Sequence, residues 1–125
     1  MKNYISNPSN EQVKKWLDQY PDLKFIKSEC GTKIIWVKPF HYIGSMFLKL
    51  YQEINQFYAR QDLIGGGDLI LKNLAIGGHS DFQNKQGEQY TLACKSAIAF
   101  FPMPEMSTGD ASDLLKDMQL PGKTK

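Results

Sequence analysis

"DLIGGGDLILKNLAIGGHSDF", residues 62–82, decides the fold of this 125-residue chain, because it sets five glycines around one short apolar run and then places His79, Ser80 and Asp81 in succession. Spacing separates the readings of such a stretch. A phosphate loop requires Gly-x-x-x-x-Gly-Lys-Ser/Thr after a strand, or Gly-x-Gly-x-x-Gly between a strand and a helix. Neither occurs here, and the glycines are followed by Asp68, whose carboxylate would repel a phosphate. A hydrolytic triad draws nucleophile, base and orienting carboxylate from separate parts of the chain, so three adjacent residues do not make one, and the Gly-x-Ser-x-Gly elbow is absent. What remains is a buried helix from about Asp68 to Ile76. Asp68 serves as its N-cap, Gly77 as its left-handed C-terminal cap, and Gly65 to Gly67 let the chain turn into it. On this reading residues 77–89 form an exposed connection, in which His79 and Asp81 are at most half of a metal site.

Upstream, "HYIGSMFLKLYQEINQFYARQD" places Ile43, Met46, Phe47, Leu50, Tyr51, Ile54, Phe57 and Tyr58 on one helical stripe, with Lys49, Gln52, Glu53, Asn55, Gln56 and Arg60 opposite. The periodicity assigns these aromatics to the core. Before it, "LKFIKSECGTKIIWVKPF" reads as a hairpin with strands at about 23–29 and 32–38. Gly31 supplies the positive φ of its turn, and Pro39 ends the pairing. The second strand is apolar on both faces, so both faces need cover. At the start, "NPSNEQVKKWLDQYP" has Ser9 and Gln12 in capping-box spacing ahead of Val13, Trp16, Leu17 and Tyr20, and Pro21 closes the helix.

Downstream, "GEQYTLACKSAIAFFP" carries Tyr90, Cys94, Ala97, Ile98 and Phe101 on one helical face, ended by Pro102. Cys94 reads as a buried, inert thiol. Beyond residue 101 the chain turns Pro-rich and polar, with one amphipathic piece around Leu114, Leu115 and Met118. The spacing makes these three a candidate partner-binding helix on an otherwise mobile C-terminal tail, residues 102–125, ordered on binding. The expected fold class is therefore α+β: an N-terminal helix, one β-hairpin, then about three helices packed on it, in a single domain of residues 1–101.

Composition narrows the function classes. With 42% hydrophobic and 22% charged residues the chain is that of an ordinary globular domain. Its net charge is +2, its lysines are scattered and Arg60 is its only arginine, which makes nucleic acid an unfavoured partner. Cys30 and Cys94 stand 64 positions apart, in no metal or redox spacing. Neither a signal segment nor a membrane span is read, and the expected location is cytoplasmic.

The order of elements, with "KKWLDQYPDLK", "IIWVKPF", "GGGDLILKNLAIGG" and "YTLACKSAIAFF" as its marks, resembles small tail-assembly chaperone-like proteins of tailed bacteriophages and prophages over residues 10–101. Lys38-Pro39 at the end of the hairpin and the "NLAIGG" element carry the likeness, and Gly78-His79-Ser80-Asp81 approximates the charged residue that follows the family's glycine turn. The resemblance implies a non-enzymatic protein-binding factor without a cofactor. Its partner would be a tail structural or tape-measure protein, with self-association as a further expectation, acting in the host cytoplasm or in the virion. Two other classes are kept beside it: an enzyme or metal protein built on His41, His79, Asp81 and Cys94, and a nucleic-acid-associated accessory protein.

Overall fold

The computed structural model describes residues 3–101 and 108–118. Among these residues, five helices and a four-stranded mixed sheet make an α+β fold. The elements, in chain order, are β1 (Ile5–Ser6), α1 (Asn10–Gln19), β2 (Lys24–Lys27), β3 (Ile34–Val37), α2 (Phe47–Ala59), α3 (Leu63–Leu74), β4 (Ala75–Gly78), α4 (Glu88–Ala97) and α5 (Ala111–Met118). Short 3-10 helices at Phe40–Met46, Ser80–Gln83 and Ile98–Phe100 join or extend them.

The N-terminal half follows local rules. The Ser9 side chain accepts a hydrogen bond from the Gln12 backbone N–H at 3.1 Å and so caps α1. β2 and β3 pair antiparallel, and the turn between them holds Gly31 at φ +79°. The expected hairpin is thus present, with strands shorter than the expected 23–29 and 32–38.

The hairpin is not the whole sheet. Strand order is β1-β4-β3-β2, with β4 antiparallel to β3 and parallel to β1. Residues 75–78 are therefore a central strand, where the sequence reading ended a helix with Gly77 as its cap. Glycine is needed there for room. A Cβ on Gly77 would lie 2.5 Å from the Trp16 ring and 2.6 Å from the Ile5 carbonyl oxygen, and one on Gly78 would lie 2.4 Å from the Ile34 carbonyl oxygen.

The glycine triplet is corrected for the same reason. Gly65, Gly66 and Gly67 lie inside α3, which starts at Leu63, and the N-cap is Asp62, whose carboxylate accepts from the Gly65 N–H at 2.9 Å. Asp68, expected at the N-cap, sits mid-helix. A Cβ on Gly67 would stand 1.7 Å from the Cys94 carbonyl oxygen, so Gly67 is where α3 and α4 come together backbone to backbone, while Gly65 and Gly66 make room for the side chains of Phe57 and Ile98. The other long helix also differs: α2 begins at Phe47, because Gly44 at φ +58° interrupts the helical path and leaves a 3-10 segment before it.

The sheet separates two unequal layers. Ile35 and Val37 are fully buried on the side covered by α2, α3 and α4, together with Leu50, Ile54, Ile70, Leu71, Leu74, Phe82, Tyr90, Cys94, Ala97 and Phe101. Trp36 points the other way. Its register partner Gly77 receives the ring of Trp16, so α1 covers that second face. Of the stripe assigned to α2 and the segment before it, Leu50 and Ile54 are buried, while Met46 and Tyr58 are 52% and 43% exposed. The connection after β4 is not wholly exposed either, because Phe82 is buried among the helices.

The expectation of a mobile tail falls partly on residues 102–107 and 119–125, outside the described residues. Within it α5 is helical, and none of its residues is buried. Pro102, expected to end the last core helix, also lies outside the described residues. α4 itself closes at Ala97 and passes into the 3-10 turn that ends at Phe100.

Candidate functional site

The predicted partner-binding residues sit on α5. Leu114, Leu115 and Met118 are 62%, 53% and 59% exposed, on a helix whose first turn holds Asp113 and whose last turn holds Lys116. The backbone N–H groups of Asp113 and Leu114 donate to the Asp110 carbonyl, which starts the helix. Positions 114, 115 and 118 are neighbours at helical spacing, so the three side chains form one short apolar strip beside an acidic flank. Such a strip can bury itself on an apolar surface, and each side chain fully covered contributes roughly 1.5–3 kcal/mol before the entropy of association is subtracted.

His41, His79, Asp81 and Cys94, on which an enzymatic or metal reading depends, each have a different setting. His41 lies with its Nε2 3.3 Å from an Asp22 carboxylate oxygen. His79 Nδ1 accepts the Asp81 backbone N–H at 3.0 Å, which places the neutral ring's proton on Nε2, and the Asp81 carboxylate is 2.6 Å from Lys33 Nζ. That contact holds the Asp81 carboxyl below the usual carboxylate range and raises the Lys33 ammonium. The His79 backbone is fixed as well: its carbonyl accepts from the Tyr4 hydroxyl at 2.9 Å, and its N–H donates to the Ile34 carbonyl at 2.9 Å. The His79–Asp81 corner therefore ties the residue before β1 to β3 and to the end of β4. Among the described residues no group of three His, Cys, Asp or Glu side chains is placed to hold a metal ion.

Cys94 is buried against Gly67, and burial pushes its thiol up to about 11. Near it the Tyr90 hydroxyl donates to the Asp68 carboxylate, whose other oxygen is 3.0 Å from Lys72 Nζ. Burial, then the bond to Asp68, raises the Tyr90 hydroxyl. Asp68 thus joins α3 to α4.

Sequence spacing assigns Cys30 no role. It is exposed on the β2–β3 turn, with its sulfur 3.3 Å from the Ser28 hydroxyl and 3.0 Å from the Thr32 hydroxyl. Hydrogen bonds from Ser28 and then Thr32 lower its thiol to about 7. The signal was present in the sequence as Ser-x-Cys-x-Thr, but only the turn curls both hydroxyls onto one sulfur. The turn also borders a groove of about 740 Å³ between β2 and α4, lined by Ile26, Lys27, Phe82, Glu88, Leu92 and Lys95 among others. Leu92 is 51% exposed in it.

Comparison with family models, curated proteins and solved structures finds no match for the chain. Among the described residues, no helix is long and apolar enough to cross a membrane.

Proposed function

We propose that this protein is a non-enzymatic protein-binding factor of bacteriophage or prophage tail assembly, and that α5 is the element it offers to its partner. The observation that carries the reading is α5 itself: a formed helix whose Leu114, Leu115 and Met118 side chains are all more than half exposed. An apolar strip of this kind gains by burial in a groove of a second protein, the helix-in-groove mode of recognition. The resemblance of the sequence over residues 10–101 to tail-assembly chaperone-like proteins suggests a tail structural or tape-measure protein as that partner, met in the host cytoplasm.

The test compares the full chain with a variant in which Leu114, Leu115 and Met118 are all replaced by Ser. Each is used to capture proteins from a phage-producing host lysate, followed by mass spectrometry and by titration of the captured tail protein. The reading expects a tail protein that binds the wild type at least ten times more tightly than the variant. Equal capture by both chains, or capture of no tail protein, overturns it.

A further inference from the structure

Among the described residues β2 is the last strand of the sheet, and no other strand of theirs pairs with its outer edge. In an antiparallel pair, successive residues turn their backbone groups alternately toward and away from the partner strand. The Ser28 N–H donates to the Lys33 carbonyl at 2.8 Å, which fixes the parity: residues 24, 26 and 28 face β3, while Phe25 and Lys27 turn their N–H and C=O groups outward. The other strand agrees, because the Ile34 carbonyl and the Lys38 N–H bond across to His79 and Leu74 on the β4 side.

The groove between β2 and α4 is lined on its sheet side by residues 26–30 and by no residue of β3, which sets it at this outer strand. Its middle is apolar, with Ile26 from β2, Leu92 and Ala93 from α4, and Phe82 between the elements. Its ends carry opposite charge. Glu29 stands at the hairpin turn and Glu88 opens α4, near Asp81, which is already neutralised by Lys33. At the other end Lys95 lies in the last turn of α4, and Lys24, at the start of β2, lines a depression with Phe100 and Phe101. A second copy of β2 is a poor occupant, since two Lys-Phe-Ile-Lys strands would collect four lysines in one ribbon without an acid in either strand.

We propose that this groove takes an extended peptide segment of a partner protein, added as a fifth strand on the outer edge of β2. The segment carries apolar side chains at alternate positions, an acidic residue at the Lys24/Lys95 end and a basic residue at the Glu29/Glu88 end. Phe25 and Lys27 provide four backbone hydrogen-bonding groups for it, and Leu92 covers the apolar side chains that point toward α4. No residue of α5 lines the groove, so the tail can hold one segment of a partner while the groove holds another.

The probe is a displayed library of random linear octapeptides selected on the full chain, with enriched sequences resynthesised and titrated by fluorescence anisotropy. The expected binders alternate apolar and polar residues between opposite terminal charges. Their affinity falls at least tenfold with the Leu92→Asp chain, and N-methylation of alternate peptide amides abolishes binding in one parity but not in the other. Lys95→Glu shifts selection away from acidic residues at that end. Circular dichroism checks that both variants keep the fold, as exposed positions should. The chain with Ser at positions 114, 115 and 118 binds the same peptides as the wild type, which separates this site from α5. No enrichment, binding indifferent to both Leu92→Asp and N-methylation, or a dimer through β2 on light scattering overturns the proposal.

Discussion

At Gly67 the difference between hydrogen and methyl is decided by a single neighbouring carbonyl. With the Cys94 oxygen 1.7 Å from the site of a Cβ, Ala at this position must push α3 and α4 apart. Gly67→Ala should cost about 3 kcal/mol or more, at the upper end of overpacking penalties, read as a lower midpoint in urea denaturation. Gly109→Ala, with nothing within 4 Å, is the control and should leave the midpoint unchanged. The two thiols differ just as sharply. A thiolate, not a thiol, is alkylated, and its fraction rises as pH passes the pKa. Cys30 should therefore react with iodoacetamide with a half-maximal rate near pH 7, where its thiol titrates. Cys94, buried and raised to about 11, should stay unmodified at that pH until the chain is unfolded. Equal labelling of both cysteines at pH 7, followed by peptide mass spectrometry, would contradict the placement of α4.

At the scale of elements, α1 and α5 make a useful contrast. Both are short and amphipathic, yet Trp16 of α1 is 6% exposed against the sheet while α5 buries nothing. Trp16→Ala removes the cover from Gly77 and should cost about 3–5 kcal/mol, measured by thermal or urea unfolding. Replacing Leu114 and Leu115 by Ser should shift stability by less than about 0.5 kcal/mol, as exposed positions do. On the proposed function its effect falls on partner capture alone. The capped start of α1 and the hairpin turn were legible because each signal is complete within a few residues: Ser9 with Gln12, Gly31 between two β-rich runs. The N-cap of α3 stands six positions before the expected one because two aspartates flank the glycine triplet, and local sequence does not say which of Asp62 and Asp68 has a free N–H to accept from.

For the whole molecule, every buried hydrophobic residue among those described lies between Trp16 and Phe101. A chain ended after Phe101 should consequently keep its cooperative melt, with a midpoint within about 2 °C of the full chain, since losses at exposed segments are small. A large loss would place part of the C-terminal region in the fold. The groove beside β2 was invisible in the sequence, because the outer strand, Leu92 on α4 and Phe82 from the connection meet only when the sheet order is set. The apolar strip of Leu114, Leu115 and Met118 was legible, being carried by helical spacing within five residues.

The sequence by itself determined the α+β class, the capped α1, the hairpin of β2 and β3, and the apolar faces of α2 and α4, because these depend on contacts and periodicities a few residues long. Tertiary structure decided that residues 75–78 are a central strand and that Gly65 to Gly67 run inside a helix. The strand's partners, Ile5 and the 35–37 segment, are distant in sequence, so no local pattern announces the pairing. The glycines read alike as turn or as contact until the Cys94 backbone and the Trp16 ring arrive, and then only a residue without a Cβ fits the space that remains.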